Sequence, residues 1–262
     1  MKLGRARGAI YSLGSFILPL LLFCLIWELI SHSGLVKPIL IPPPSKVFLE
    51  LFEDRAEILT HLVASLKRLV LGYSLAALAG VALGISMGYN KYVHGYFHPI
   101  ISTLMPVPGI TWAPILVLVL GFGDPTLVTV TFIASLFPVV YNTSAGVSSI
   151  RKDHLWAARI MGASRFTIFS RVLLPSSAPF ILTGLKLGLA RAWRTLIAVE
   201  MIAATLWGLG FFIFDAKEYL RTSDIYAGIV VMAIVFIIIE RTSFGTMEKR
   251  TIEKWGMVRD IG

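Results

Sequence analysis

The most informative segment of this chain is DHLWAARIMGAS, from Asp153 to Ser164. A second helical stretch follows it and ends in VLLP at Pro175. Ala158 and Gly162 are four residues apart, which predicts that they share one face of a helix. A face with almost no side chain lets the backbone of another protein approach closely. We expect Pro175 to end the second stretch before the next apolar segment begins.

The composition indicates a membrane protein. Hydrophobic residues make up 56% of the chain and charged residues only 15%, whereas a soluble domain carries about 25% charged residues. Six apolar stretches are long enough to cross about 30 Å of hydrocarbon. They lie near residues 13–31, 66–88, 99–120, 126–146, 180–204 and 225–240. We therefore predict an all-α, six-span membrane protein with one domain over residues 1–262 and a core over about 60–245.

The distribution of lysine and arginine predicts the orientation, because basic residues accumulate on the cytoplasmic side. With the N-terminus inside, the inner segments hold 14 of the 24 basic residues and the outer segments hold 7. This bias predicts that both termini and the Asp153–Ser164 segment are cytoplasmic. The net charge of +9 is then explained by orientation and by attraction to anionic lipid. Nucleic-acid binding is not expected, because the basic residues are spread over separate loops.

Glycines in the second span are spaced for close helix packing. Gly80, Gly84 and Gly88 form two overlapping GxxxG units. Glycine at this spacing lets membrane helices touch backbone to backbone. We expect these contacts to lie within the chain and not to form a dimer seam.

The third span is interrupted by proline. The sequence PVPG begins at Pro106, and Pro114 follows it. Each proline removes a backbone donor and bends the helix. Broken backbone at membrane depth is tolerated where it is buried in protein or faces a water-filled cavity. The sequence leaves two interpretations open: a solute path near Pro106, Pro108, Thr111 and Trp112, or a kink required only for packing.

The fifth span carries charge, and charge inside a membrane is costly and usually functional. Arg191 and Arg194 are three residues apart and share a face near mid-span. Glu200 is too far round the helix from Arg194 for a standard i,i+4 pair, so a neighbouring helix or subunit is an alternative source of its partner. The arginines either line a path for an anion, since guanidinium suits nitrate, sulfonate or carboxylate, or brace the bundle by pairing with Glu200 or with backbone carbonyls.

The sequence lacks the motifs of an ATPase and of a metal site. No GxxxxGK[ST] occurs, so we expect a partner to hydrolyse ATP and no cofactor to bind this chain. No HExxH occurs, and we expect His94 and His98 to flank a loop that ends at Pro99, so no metal site is predicted. No spacing supports an intramembrane enzyme that uses Glu200, Asp215 or the histidines, and we predict no catalytic residue.

The pattern from Ala157 to Pro175 resembles the EAA loop of ABC-transporter permeases in binding-protein-dependent importers. Trp156 stands where that family usually has glutamate. The nitrate/sulfonate/taurine-type branch is similar in two further respects. The sequence PPS at residues 43–45 precedes an amphipathic helix, which we expect to begin at Lys46 with Ser45 as its N-cap. The sequence AWR at residues 192–194 is followed by AVE at residues 198–200.

The resemblance implies a type I importer permease in the bacterial inner membrane that moves a small anion such as a sulfonate, taurine or nitrate. Two such subunits, expected to be identical, would form the pathway, and an extracytoplasmic solute-binding protein would deliver the solute. Two ATPase subunits would dock on a coupling helix. Its implied residues are Trp156, Ala157, Ala158, Gly162, Ala163, Ser164 and Pro175. A secondary carrier or a channel, which needs no docking hairpin, is the alternative.

Overall fold

The computed structural model describes residues 18–37 and 39–248, apart from the side chains of residues 152 and 246–248. Every regular element in this part is a helix, because backbone groups in hydrocarbon need intrahelical partners. In chain order the elements are α1 (Leu18–His32), α2 (Pro44–Glu53), α3 (Arg55–Tyr89), α4 (Lys91–Leu104), a 3-10 turn (Gly109–Trp112), α5 (Ala113–Leu120), α6 (Asp124–Ser148), α7 (Lys152–Ile160), α8 (Arg165–Ile168), a π-helical turn (Phe169–Leu173), α9 (Leu174–Ala203), α10 (Leu209–Glu218) and α11 (Thr222–Glu248).

Four helices in the described residues are long and apolar enough to cross a membrane. They are α3, α6, the continuous helix Arg165–Ala203 and the part of α11 over Thr222–Gly245. The pair formed by α4 and Gly109–Leu120 is bent by 96° and makes a fifth span if it is counted as one. The prediction of an all-helical, multi-pass chain is confirmed.

The sixth span stays a prediction. Helix α1 is apolar but shorter than the other candidates, and the predicted first span begins at residue 13, outside the described residues. Most of the terminal basic residues used for the orientation also lie outside them. These are Lys2, Arg5, Arg7, Lys249, Arg250, Lys254 and Arg259.

The described residues pack as two compact units. One unit comprises the described residues of Met1–Leu59 together with Phe212–Val230. The other comprises Thr60–Phe211 and the described residues of Val231–Gly262. Most of the predicted core lies in this second unit, and a single domain over residues 1–262 stays a prediction.

The start of α2 in the first unit differs from the expectation. Helix α2 begins at Pro44 with Pro43 as its N-cap, so Ser45 already lies inside the helix. Proline suits the first helical position because its missing N–H is one that no intrahelical acceptor needs. The Ser45 hydroxyl donates to Glu28 Oε1 over 2.7 Å instead. The predicted Ser45 N-cap is therefore wrong, and Ser45 ties α2 to α1.

The core of the second unit is built on α6, against which the glycines of α3 pack. A Cβ on Gly84 would lie 2.5 Å from Thr143 Cβ, and one on Gly88 would lie 2.5 Å from Val147 Cβ. On α9, a Cβ on Gly188 would lie 2.8 Å from Val139 Cγ2. These distances leave no room for a side chain at the three glycines, so the backbones of α3 and α9 lie directly against α6. The expected packing within the chain is confirmed.

Replacement of Gly84 by leucine is expected to destabilise the α3–α6 contact. Overpacking of this kind costs about 1–3 kcal/mol, which lowers the melting temperature by several degrees. Thermal unfolding of the detergent-purified chain measures this shift. Gly95→Leu is the matched control, because a Cβ on Gly95 meets nothing within 4 Å. Equal melting temperatures for the two variants would contradict the contact.

Candidate functional site

The predicted interruption of the third span is present between α4 and α5. Helix α4 ends at Leu104, and Pro108 has an extended backbone before the 3-10 turn begins. Pro114 does not interrupt the chain a second time, because it lies in the first turn of α5, where its missing N–H costs little. A Cβ on Gly109 would lie 2.6 Å from Thr195 Cγ2 on α9. Glycine at this position allows the break to press against α9.

The break lines a cavity of about 400 Å³, hereafter the basic cavity. Its walls come from the break, α6 and α9. The lining residues are Met105, Pro106, Val107, Pro108, Gly109, Ile110, Trp112, Ile133, Ala134, Phe137, Arg191, Arg194, Thr195 and Ala198. Of the residues singled out in the sequence, the structure brings Pro106, Pro108, Trp112, Arg191 and Arg194 together here. Thr111 is not among the lining residues, and its hydroxyl donates to the Pro108 carbonyl.

The two arginines give the basic cavity its charge. Arg191 Nη1 donates to the Met105 carbonyl over 3.1 Å and so connects α9 to the start of the break. Arg194 Nε donates to the Ala190 carbonyl of its own helix over 3.0 Å. Neither arginine has a carboxylate partner among the described residues. Each hydrogen bond uses one of the five N–H donors of a guanidinium, so most donors of both side chains remain available.

Glu200 lies in a separate, fully buried cluster and does not line the basic cavity. Arg68 Nη1 on α3 donates to Glu200 Oε1 over 2.8 Å. The Ser65 hydroxyl donates to Oε2 over 2.8 Å, and the Gly210 N–H donates to the same oxygen over 3.0 Å. The carboxylate is thus paired with a neighbouring helix. Neither Arg191 nor Arg194 hydrogen-bonds to it among the described contacts.

The turn after α9 closes over this carboxylate. Arg68 also donates to the Trp207 carbonyl through Nη1 and to Asp124 Oδ1 over 2.7 Å through Nε. Gly208 has a φ of +153°, and a Cβ there would lie 2.6 Å from the Glu200 carboxyl carbon. The Gly208 N–H donates to His61 Nδ1 over 3.0 Å. Only glycine fits this position.

This cluster was not predicted from the sequence, because the orientation count assigns Arg68 to the seven basic residues of the outer segments. One signal was present in the sequence. Arg68 falls inside the predicted second span, and charges within membrane spans usually pair with one another. Glu200 was the acidic residue of the fifth span that needed such a partner.

The hairpin around Gly162 has a different geometry from the one predicted. Helix α7 ends at Ile160, and Gly162 has a φ of +76° beyond its end. The Ala163 N–H donates to the Ala158 carbonyl, and the Gly162 N–H donates to the Arg159 carbonyl. The N···O distance is 3.0 Å in both hydrogen bonds. This pair of bonds is a Schellman motif, in which glycine takes the left-handed position after the helix. Ala158 and Gly162 therefore do not share a helix face, and that prediction is wrong.

The exposed surface of the hairpin is large and apolar. Ala158 is only 5% exposed, so it faces the protein interior. Trp156 is 59% exposed and Ile160 is 86% exposed, and their i,i+4 spacing places them on one side of α7. Met161 and Phe166 add to this surface, with exposures of 79% and 77%. We call these four residues the apolar hairpin face. Ala157, Gly162 and Ser164 are also exposed, and Ser164 caps α8 by accepting from the Thr167 N–H.

Pro175 does not end the second helical stretch, contrary to expectation. The chain stays helical from Arg165 to Ala203. A five-residue π-helical turn, Phe169–Leu173, directly precedes α9, and Pro175 lies in the first turn of α9. Proline cannot donate a hydrogen bond to the preceding turn. The wider π turn accommodates this loss without a break in the helix.

The histidine pair also differs from the expectation. His94 and His98 lie on one helix, α4, with ring centroids 4.7 Å apart, and do not flank a loop. Among the described residues, one group of three acidic side chains, Glu50, Asp54 and Asp224, has its oxygens close together. Asp224 in this group already pairs with Arg221 Nη1 over 3.0 Å.

Uncompensated charge at membrane depth beside a broken helix is a feature of membrane transport components. The sequence profile of one such family, the binding-protein-dependent transport system inner membrane component, matches residues 58–244, and the chain belongs to this family. It is thus a multi-pass inner membrane component. The resemblance found in the sequence is confirmed.

Similar proteins support the same assignment. The taurine transport system permease protein TauC of Escherichia coli (strain K12) is 38% identical over 223 residues, which cover 82% of this chain and 80% of that protein. The bicarbonate transport system permease protein CmpB of Synechocystis sp. is 33% identical over 232 residues, which cover 84% and 82%. The fold is similar to that of the MetNI methionine ABC transporter, with a TM-score of 0.56, 16% identity and coverage of 73% of this chain and 93% of that chain.

Loss of one partner from the buried Arg68–Glu200 pair is expected to destabilise the protein. Arg68→Met leaves the Glu200 carboxylate buried without its cation, which costs about 3–5 kcal/mol. The melting temperature and the yield of monodisperse protein measure this effect. Arg151→Met is the control, because Arg151 forms an exposed pair with Asp153, and such pairs contribute about 0–1 kcal/mol. Equal losses for both variants would contradict a stabilising role for the buried pair.

Proposed function

We propose that this chain is the permease subunit of an ATP-driven importer of small anions. The observation that carries the proposal is the basic cavity, where Arg191 and Arg194 lie beside a broken helix without a carboxylate partner among the described residues. The named solutes of the relatives support it, because taurine and bicarbonate both present anionic oxygens. A sulfonate, taurine, nitrate or bicarbonate is the solute class that this charge favours.

The two arginines have different roles in this proposal. Arg191 is half-buried and holds the start of the break through the Met105 carbonyl. Arg194 is exposed to the cavity and keeps most of its donors free. A guanidinium presents parallel N–H groups that match two oxygens of an oxyanion. Arg194 therefore meets the passing solute, and Arg191 maintains the shape of the path.

The energy for uptake comes from a partner. This subunit is non-catalytic, binds no cofactor and relies on separate ATPase subunits that use ATP. These subunits dock on the hairpin through Trp156, Ile160, Met161 and Phe166, because large apolar side chains clustered on a surface mark a protein interface. Trp156 thus acts as an apolar anchor at the position where the family usually has glutamate. Gly162 shapes the turn that presents this face.

The complete transporter contains further components. Two copies of this six-span, single-domain subunit form the pathway, surrounded by membrane lipid, and an extracytoplasmic solute-binding protein delivers the anion. Both termini and the hairpin face the cytoplasm of a bacterium, where ATP is available. ATP binding draws the two ATPases together and with them the two hairpins. This favours the outward-open state over the inward-open state, a shift of population by a partner that prefers one state.

Arg194→Ala is expected to reduce uptake while leaving assembly intact. Loss of a charge-assisted contact to the solute costs roughly tenfold to a hundredfold in transport. Uptake of taurine, nitrate and bicarbonate by cells that express the complete transporter measures this loss, and copurification of the ATPase reports assembly. Arg194→Lys keeps the charge without the planar fork and should retain part of the uptake.

Arg171→Ala is the control for this experiment, because Arg171 is exposed and does not line the basic cavity. Normal uptake by Arg194→Ala would contradict the pathway role. Poor assembly of that variant would instead support a role in bracing the bundle.

Ile160→Asp is expected to release the ATPase. A charge in the centre of an apolar interface typically costs more than 2 kcal/mol of binding, a loss of about thirtyfold. Copurification with a tagged ATPase measures the loss, and the melting temperature of the permease should not change because Ile160 is 86% exposed. Leu35→Asp is the matched control, since Leu35 is 83% exposed in another segment. Retention of the ATPase by Ile160→Asp would contradict docking on this face.

A further inference from the structure

A second cavity, of about 770 Å³, lies between the C-terminal end of α3 and the hairpin. It shares no lining residue with the basic cavity. Helix α3 contributes Ile85, Ser86 and Tyr89. The hairpin and the turn that follows it contribute Arg159, Ala163, Arg165, Ile168, Phe169 and Leu173.

The charge of this cavity is positive. Arg159 and Arg165 are the ionised side chains of its lining, and the lining contains no acidic residue. Among the described residues neither arginine has a carboxylate partner. Arg151 in the same hairpin, in contrast, is paired with Asp153 over 2.9 Å. Two unpaired guanidinium groups on one cavity favour an anion, and phosphate oxygens suit their geometry.

The remaining wall is mainly apolar. Ile85 from α3 faces this space together with Ile168, Phe169 and Leu173 from the hairpin side. A free phosphate or a nucleotide would use the arginines and leave this wall in contact with water. A molecule with an anionic head and a hydrocarbon chain satisfies both parts of the cavity.

The depth of the cavity supports the same ligand. Tyr89 ends α3, a helix long and apolar enough to cross the membrane. Tyr89, Tyr92 and Tyr96 are all strongly exposed around the start of α4. Tyrosine accumulates where the hydrocarbon meets the head groups, so these rings mark the head-group level. The cavity contains Tyr89 and therefore opens at that level.

We propose that this cavity binds an anionic phospholipid. Its phosphate lies between Arg159 and Arg165, and an acyl chain follows the wall that contains Ile85 and Phe169. The lipid connects the end of α3 to the hairpin, so the position of the hairpin depends on the lipid composition of the leaflet on its side of the membrane. This site is additional to the proposed transport function and does not require the ATPase.

Lipid binding to the purified full-length chain tests the inference. The chain is delipidated in detergent and titrated with phosphatidylglycerol, with phosphatidylcholine or with inorganic phosphate, and bound lipid is counted by native mass spectrometry. We expect phosphatidylglycerol to bind more tightly than phosphatidylcholine. The double variant R159Q/R165Q should lose roughly tenfold to thirtyfold in affinity for phosphatidylglycerol, since each basic residue near an anionic lipid surface strengthens binding by about fivefold.

Two further variants make the test specific. Arg171→Gln removes a charge from the turn that follows the hairpin but does not line the cavity, so it should bind phosphatidylglycerol as the unmodified chain does. Ser86→Trp keeps both arginines and fills the cavity, so it should also lose binding and remains informative if the double variant fails to fold. Equal binding of the two lipids, or unchanged binding by both cavity variants, would overturn the inference.

Competition by inorganic phosphate at equal affinity would show a site for a free anion and would also overturn it. The test is separate from that of the proposed function. A chain that binds phosphatidylglycerol in this way and does not retain an ATPase would leave the lipid site intact and remove the transport proposal.

Discussion

The buried carboxylate of Glu200 is the constraint on which the arrangement of the second unit depends. A carboxylate without solvent needs a cation and hydrogen-bond donors. Arg68 and Ser65 of α3 supply them, together with the Gly210 N–H in the first turn of α10. Helix α3 is thereby fixed against the C-terminal end of α9. Both helices also contact α6 through glycines, and these contacts restrict the sliding of α3 and α9 along α6.

This fixed point also determines where the cavity arginines lie. Arg194 precedes Glu200 by six residues on the same helix, which corresponds to about 9 Å along its axis. Over residues 191–200 the helix therefore carries one charge with a salt-bridge partner, Glu200, and two without a carboxylate partner among the described residues, Arg191 and Arg194. Arg191 uses part of its capacity to hold the Met105 carbonyl. The break in the third span and the positive charge of the cavity are thus maintained by the same stretch of α9.

Features that depend on local chemistry could be predicted from the sequence. Apolar stretches identified the long helices, and PVPG located the break at Pro106. Charge within the fifth span drew attention to Arg191 and Arg194. The spacing in the second span predicted the contacts of Gly84, because glycine has few uses in a membrane helix besides close packing.

Features that depend on backbone conformation or on distant partners could not be predicted from the sequence. A glycine four residues after Ala158 looks the same in sequence whether it continues the helix or ends it in the left-handed region, so the Schellman turn at Gly162 was missed. Pro175 suggested an end because a π turn leaves no signal in the residue types. The partners Arg68 and Glu200 are 132 residues apart, and no local pattern connects them.

The apolar hairpin face has a consequence for the life of the subunit before assembly. Trp156 and Ile160 are 59% and 86% exposed in the folded subunit, so folding of the membrane core does not bury them. Exposed apolar surface of this kind causes unassembled subunits to aggregate or to be degraded by proteases. A more stable membrane core would leave this face exposed in an unassembled copy, whereas a partner that covers the face would remove it from aggregation and proteolysis.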